Sequence, residues 1–219
     1  MFGNYWLHRL FVTYPIGSCS TVSALAGTKR LSPRWSGVMG RWFWACADLV
    51  AEAKWDVSYL SVAQGKPVFR DLDLSKFDVV LLAPDGLTQA TAADVKRARA
   101  FVERGGRLVV TAQSGYWGSV EAANKGLDGY GLKILDEEAP IGKNRVIPDV
   151  ILDKEAFAPE VIKAGIRSAR FFRASPIVVS PDKPARLLVK AAGVGGPKDG
   201  FVAVAKAGKG EVVALGQSL

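Results

Sequence analysis

The side chains that most often carry chemistry are scarce in this sequence. There is one histidine, His8, and there are two cysteines, Cys19 and Cys46. They have no metal-ligand spacing, so a zinc site built from protein ligands is not expected. Ser114 follows the strand-like run Arg107–Thr111 and falls where open α/β sheets bind ligands. As a hydrolytic nucleophile it needs a base, and only His8 is present to serve; its simpler role is a hydroxyl that holds a turn. Asp136, Glu137 and Glu138 are consecutive, so in extended chain they point to alternate faces, and a solvated loop accounts for them more simply than a cation site. Arg167, Arg170 and Arg173 recur every third residue and would converge on an anion from a helix. The interleaved Phe171 and Phe172 suggest instead a half-buried strand edge. Gly193, Gly195 and Gly196 are not followed by the Gly-Lys-Ser/Thr of a phosphate loop. Tyr116 and Trp117 could stack on a sugar ring or another chain, or pack under the next helix.

The elements that would position these residues become regular after residue 48. Asp56–Val62 is a β-branched and aromatic run, and Phe77–Ala83 (FDVVLLA) is continuously apolar, as a strand buried on both faces is. Pro84-Asp85-Gly86 breaks it in a turn. Thr91 and Asp94 have the spacing of a capping box, with Thr88 an alternative start, for a helix whose stripe is Val95, Ala98, Phe101 and Val102, with Lys96, Arg97, Arg99 and Glu103 facing water. Gly105-Gly106 end that helix and Arg107–Thr111 is the next buried strand. Strand, helix and strand in about 35 residues make a βαβ unit and a parallel sheet. Ser119 is a cap for a second helix with Val120, Ala123 and Leu127 inward, and Leu132–Leu135 returns as a strand. Residues 140–159 are weakly patterned and read as a cover over one end of the sheet. Ile177–Val179 and Ala185–Val189 are strand candidates, Gly193–Gly200 a loop, and Phe201–Lys206 with Glu211–Leu215 flank a hairpin turn at Ala207–Gly210.

At 219 residues and 49% hydrophobic, the chain suits one α/β domain with a sizeable core, and no run reaches the ~20 apolar residues of a bilayer span. The net charge of +8 is unevenly placed. Before Asp48 lie Arg9, Lys29, Arg30, Arg34 and Arg41 and no acid, leaving 24 basic against 21 acidic groups in the rest. A mixed-charge surface therefore accounts for the basicity better than nucleic-acid binding. Residues 1–40 stand apart, with four readings: a secretory or lipoprotein signal within residues 1–26, an organellar presequence, an extended start, or a first core strand at Leu10–Tyr14. Arg41–Lys54 has helical spacing. The domain proper is expected over residues 41–219. A cytoplasmic location is the first choice, a signal in residues 1–26 the alternative.

The run from Phe77 to Gly115, followed by SVEAANKGLDGYGLKIL and by the pairing of IRSARFFRASPIVV with FVAVAKAGKGEVVALG, resembles class I glutamine amidotransferase-like domains. It is similar to uncharacterised bacterial members and to the trimerisation domain of some β-galactosidases. The resemblance covers roughly residues 55–219 and implies a flavodoxin-like three-layer α/β/α fold with a mostly parallel sheet and a C-terminal β-hairpin. Active members of the superfamily carry a cysteine in a G-x-C-x-G turn after a core strand, with a histidine and a glutamate further on. With Gly115 as the final glycine of that turn, Gln113 stands at the cysteine position and Thr111 at the first glycine. No histidine follows position 8, and both cysteines precede the strand. Related domains usually continue into a helix where this sequence stops, so a truncated domain is one expectation.

The expectation is a non-catalytic domain for protein interaction, self-association or recognition of a small molecule or carbohydrate, within a larger protein or assembly. The ligand-facing residues would be Asp85, Gln113, Ser114, Gly115, Tyr116, Trp117 and Arg173. No catalytic residue, metal or cofactor is expected. The alternatives are a hydrolase using Ser114 and a nucleic-acid-binding protein.

Overall fold

The computed structural model describes residues 9–15, 56–62, 68–69, 72–82, 90–114, 119–137, 149–172, 174–190 and 199–217. They form a nine-stranded mixed sheet and a separate two-stranded one. Strands β1 (Arg9–Pro15), β2 (Asp56–Val62), β3 (Val79–Leu82) and β4 (Arg107–Thr111) lie in the order β2-β1-β3-β4, all parallel. The next strand across is β11 (Gly210–Leu215), parallel to β4. Beyond it run β10 (Asp199–Ala207), β8 (Ile177–Val179) and β5 (Leu132–Ile134), each antiparallel to its neighbour, with β9 (Ala185–Lys190) also on β10.

The expected parallel pairing of the strands around 77–83 and 107–111 is present, and so is the C-terminal hairpin, with Ala207 opposite Gly210. The expectation of a mostly parallel sheet is corrected: four parallel pairings are matched by four antiparallel ones in the same sheet. The reason is the C-terminal third, where β9, β10 and β11 follow one another in the chain and pair antiparallel, and β8 and β5 add antiparallel beyond β10.

Register shows which face is covered. Val80, Leu108 and Val212 form one row across β3, β4 and β11, and Leu82, Val110 and Ala214 the next. All six are buried in one cluster with Ala98, Phe101 and Val102 of α1 (Ala92–Glu103) and Val120, Ala123 and Leu127 of α2 (Ser119–Leu127). Both helices therefore cover the same face. Full burial of side chains such as Phe101 and Leu108 contributes on the order of 1.5–3 kcal/mol each. The helix expected at Arg41–Lys54 lies outside the described residues.

The start and end of α1 follow the sequence closely. Thr91 and Asp94 make a reciprocal capping box. At the other end Gly106 N–H donates to Phe101 O at 3.1 Å and Gly105 N–H to Val102 O at 2.9 Å, a Schellman ending with Gly105 at φ +123°. Two of the four polar residues assigned to water are only half-exposed: the Arg97 guanidinium donates to Phe69 O and that of Arg99 to Asp128 O.

Within residues 140–159 the structure adds a strand that the sequence reading did not name: Asp149–Asp153 is β6, paired antiparallel with β7 (Ser168–Phe172), and a short helix α3 (Pro159–Lys163) lies between them in the chain. Together with Phe157, Ala174, Val189 and Phe201 they build a second, smaller apolar cluster. Pro159 at the first helical position suits the start of α3.

Candidate functional site

The C-terminal end of β4 is where the sequence places its candidate ligand-facing turn. Two of the seven residues named for it, Gln113 and Ser114, are described; Asp85, Gly115, Tyr116, Trp117 and Arg173 lie outside the described residues. Gln113 is buried and Ser114 half-buried. The chain beyond β4 stays against β11: Ala112 N–H donates to Leu215 O at 3.1 Å. Ser114 N–H then donates to the hydroxyl of Ser175 at 2.7 Å. Ser175 is fully buried, and its own N–H donates to Gly216 O at 2.6 Å. A Cβ on Gly216 would lie 1.9 Å from Ser175 O, so only glycine permits this approach.

The turn after β4 is thus held by a residue that sequence reasoning did not select. Ser175 sits in the connection between β7 and β8, 61 residues from Ser114. Nothing in its local pattern distinguishes it from any other loop serine. Its hydroxyl is occupied in positioning backbone, and an accepted N–H bond of this length is a structural bond.

Of the three arginines, Arg170 lies on the strand Ser168–Phe172, as the interleaved phenylalanines suggested, and not on a helix; Arg167 donates to Ile162 O at 2.8 Å, and Arg173 lies outside the described residues. Of the acidic run, Asp136 and Glu137 are exposed beyond β5. No group of three metal-ligating side chains occurs among the described residues.

Asp94 has a larger role than helix capping. It is 1% exposed and accepts from Val68 N at 3.1 Å, Phe69 N at 2.9 Å, Thr91 N at 2.9 Å and Thr91 Oγ1 at 2.7 Å. Burial alone would raise its pKa, but these donors more than offset it and hold the carboxyl below its usual value. A carboxylate with its lone pairs so engaged is a structural lock, not a free base. Asn124 plays a similar part at the β5 edge: its amide donates to Ile134 O at 2.8 Å and accepts from Ile134 N at 2.9 Å, blocking the unpaired side of that strand.

A cavity of about 440 Å³ lies between α1, α2 and the sheet. Leu82 and Leu108 come from the sheet, Val95 and Ala98 from α1, Ala122 and Gly126 from α2, and Lys96, Arg99 and Lys125 bring charge to it.

No protein-family model matches this sequence, and no curated protein matches it. Solved structures do match in fold. The cytoplasmic protein STM1381 from Salmonella typhimurium LT2 is 14% identical, with a TM-score of 0.59 over 97% of this chain and 88% of that one. The mmIFT52 N-terminal domain is 14% identical, with a TM-score of 0.56 over 78% and 77%. A β-galactosidase from Bacillus circulans sp. alkalophilus is 16% identical, with a TM-score of 0.55 over 96% of this chain but 28% of the enzyme. The chain thus spans less than a third of that glycosidase. At these identities the likeness defines the class by its fold alone: an α/β domain on a mixed sheet, found both by itself and within larger enzymes. No helix among the described residues is long and apolar enough to cross a membrane.

Proposed function

We propose that this chain is a non-catalytic, glutamine amidotransferase-like domain of the three-layer, flavodoxin-like type that recognises a partner or ligand. The observation that carries the reading is the turn after β4. There the residue standing at the family's nucleophile position is Gln113, whose amide is neither nucleophilic nor able to form a thiolate. The adjacent Ser114 has its backbone tied to Ser175 Oγ at 2.7 Å, and the sequence's single histidine is His8. A serine without an adjacent base keeps its proton at neutral pH. Recognition at the carboxyl ends of the parallel strands is what such sheets offer once chemistry is lost. The matches to part of a β-galactosidase and to a free-standing bacterial protein support a domain that is used as a module, and a protein partner or self-association follows from that use.

The experiment is intact-mass analysis after treatment of the full chain with a fluorophosphonate and with the glutamine analogue 6-diazo-5-oxonorleucine. The mass is expected to stay unchanged with both. Stoichiometric fluorophosphonate addition at Ser114, abolished in Ser114→Ala, would promote the hydrolase reading.

A further inference from the structure

The α1–α2 cavity has features that the turn after β4 does not share. Its volume of about 440 Å³ is in the range that encloses a small organic molecule. Val68, Phe69, Leu82, Val95, Ala98 and Leu108 make most of its wall apolar. Arg99 also lines it, and that side chain is incompletely satisfied. Nη2 donates to Asp128 O at 2.8 Å and lies 3.6 Å from the Asp128 carboxylate, while the guanidinium stands 5.9 Å from the centre of the Tyr130 ring. Nε is buried and has no hydrogen-bond partner among the described residues. A buried N–H of a cation left without an acceptor is costly, and an acceptor brought by a ligand removes that cost.

The charges around the cavity favour an anion as that acceptor. Lys96 and Lys125 line it alongside Arg99, and Asp94, the one lining carboxylate among the described residues, already accepts four hydrogen bonds. The counter-ions of Arg99 and Lys125 are Asp128 and Glu121, whose side chains are 82% and 76% exposed. Such surface pairs are weak and yield to a better-placed anion. Burial pushes the Tyr130 hydroxyl pKa up, so it stays a neutral donor and adds no opposing charge.

We propose that the α1–α2 cavity binds a small amphipathic carboxylic acid, its apolar body against Leu82, Ala98, Leu108 and Ala122 and its carboxylate at Arg99. The site is separate from the turn after β4 and does not depend on how that turn is read.

The test is calorimetry and 1H–15N correlation spectroscopy on the full chain with octanoate, and with octan-1-ol as the uncharged counterpart. Octanoate is expected to bind, shifting the amides of Ala122, Gly126 and Tyr130, and octan-1-ol about tenfold or more weakly. Arg99→Gln is expected to bring octanoate down to the level of octan-1-ol while leaving octan-1-ol unchanged. Ala122→Phe, which fills the space, is expected to abolish both; Val95→Phe does the same from the α1 side if the first variant does not fold. No binding of octanoate at millimolar concentration would overturn the proposal. So would equal binding of acid and alcohol, or binding that shifts none of the three amides.

Discussion

Replacing Asp94 by Asn isolates the lock at the start of α1 with almost no change in volume. In the native arrangement Oδ2 receives three donors, Val68 N, Thr91 N and Thr91 Oγ1, and Oδ1 receives Phe69 N. Asn has one acceptor oxygen. Its best orientation keeps that oxygen at the three-donor position and turns its NH2 toward Phe69 N–H, leaving a buried backbone donor facing another donor. An unsatisfied buried group costs about 1–3 kcal/mol, and losing charge assistance on the remaining bonds adds about 1 kcal/mol. The expected loss is therefore about 2–4 kcal/mol, a large share of the ~5–15 kcal/mol that holds a typical domain together. Urea unfolding of wild type and Asp94→Asn measures it, with the midpoint falling and the slope unchanged. The pH dependence gives a second check. Because the folded-state pKa lies below the usual 3.8, the folded chain holds fewer protons than the unfolded chain near that pH. The contribution is thus fully present above pH 3.8 and is lost as pH falls through the folded-state value. Wild type and variant should differ by a constant amount from pH 7 to about 5 and converge in stronger acid. A loss under about 0.5 kcal/mol at pH 7 would refute the lock.

Three further outcomes follow from the same geometry. Gly210→Ala should destabilise by more than about 2 kcal/mol in urea unfolding, because its Cβ would meet Gly106 O at 2.2 Å and Val102 O at 2.3 Å, where the β10–β11 turn seats on the end of α1. Glu211→Gln should cost roughly 0.5–1.5 kcal/mol at pH 7, since the carboxylate joins Lys206 and Arg107 across three strands. Hydrogen bonds from Lys206 and then Arg107 hold its pKa below 4.5 against partial burial, so that difference is present above pH 4.5 and fades as pH falls through the folded-state value. In fluorescence anisotropy at 150 mM salt, the full chain should show no low-micromolar binding to duplex or single-stranded oligonucleotides; tight binding that weakens along a counterion-release slope would restore the nucleic-acid reading.

The parallel half of the fold was legible because its signals are local. FDVVLLA and RLVVT are apolar without alternation, and the Thr91–Asp94 box and Gly105–Gly106 bracket the helix between them. In the antiparallel half most strands were legible, Leu132–Leu135 and Ile177–Val179 among them, but their pairing was not, since β5 meets β8 and β8 meets β10 across long stretches of chain. Strand β6 was missed because IPDVILD reads as weak pattern until Phe171 and its neighbours lie alongside it. Asp94 was recognised as a cap, but its hold on Val68 and Phe69 spans 26 and 25 residues and leaves no spacing to read. Ser175 is the same case at greater separation. For the candidate site, the sequence named the turn through Gln113 and Ser114, and long-range contacts alone reveal what supports it.

The central claim is that the turn after β4 recognises without catalysing. Its most direct measurement is the rate of glutamine and p-nitrophenyl acetate hydrolysis by the full chain beside Ser114→Ala and Gln113→Ala. All three proteins should match the rate in buffer containing an inert protein at equal concentration, as the proposal of a turn with Gln113 at the nucleophile position and an unactivated Ser114 requires. Turnover at least tenfold above that background in the wild type, lost in Ser114→Ala while its unfolding midpoint is unchanged, would contradict the account.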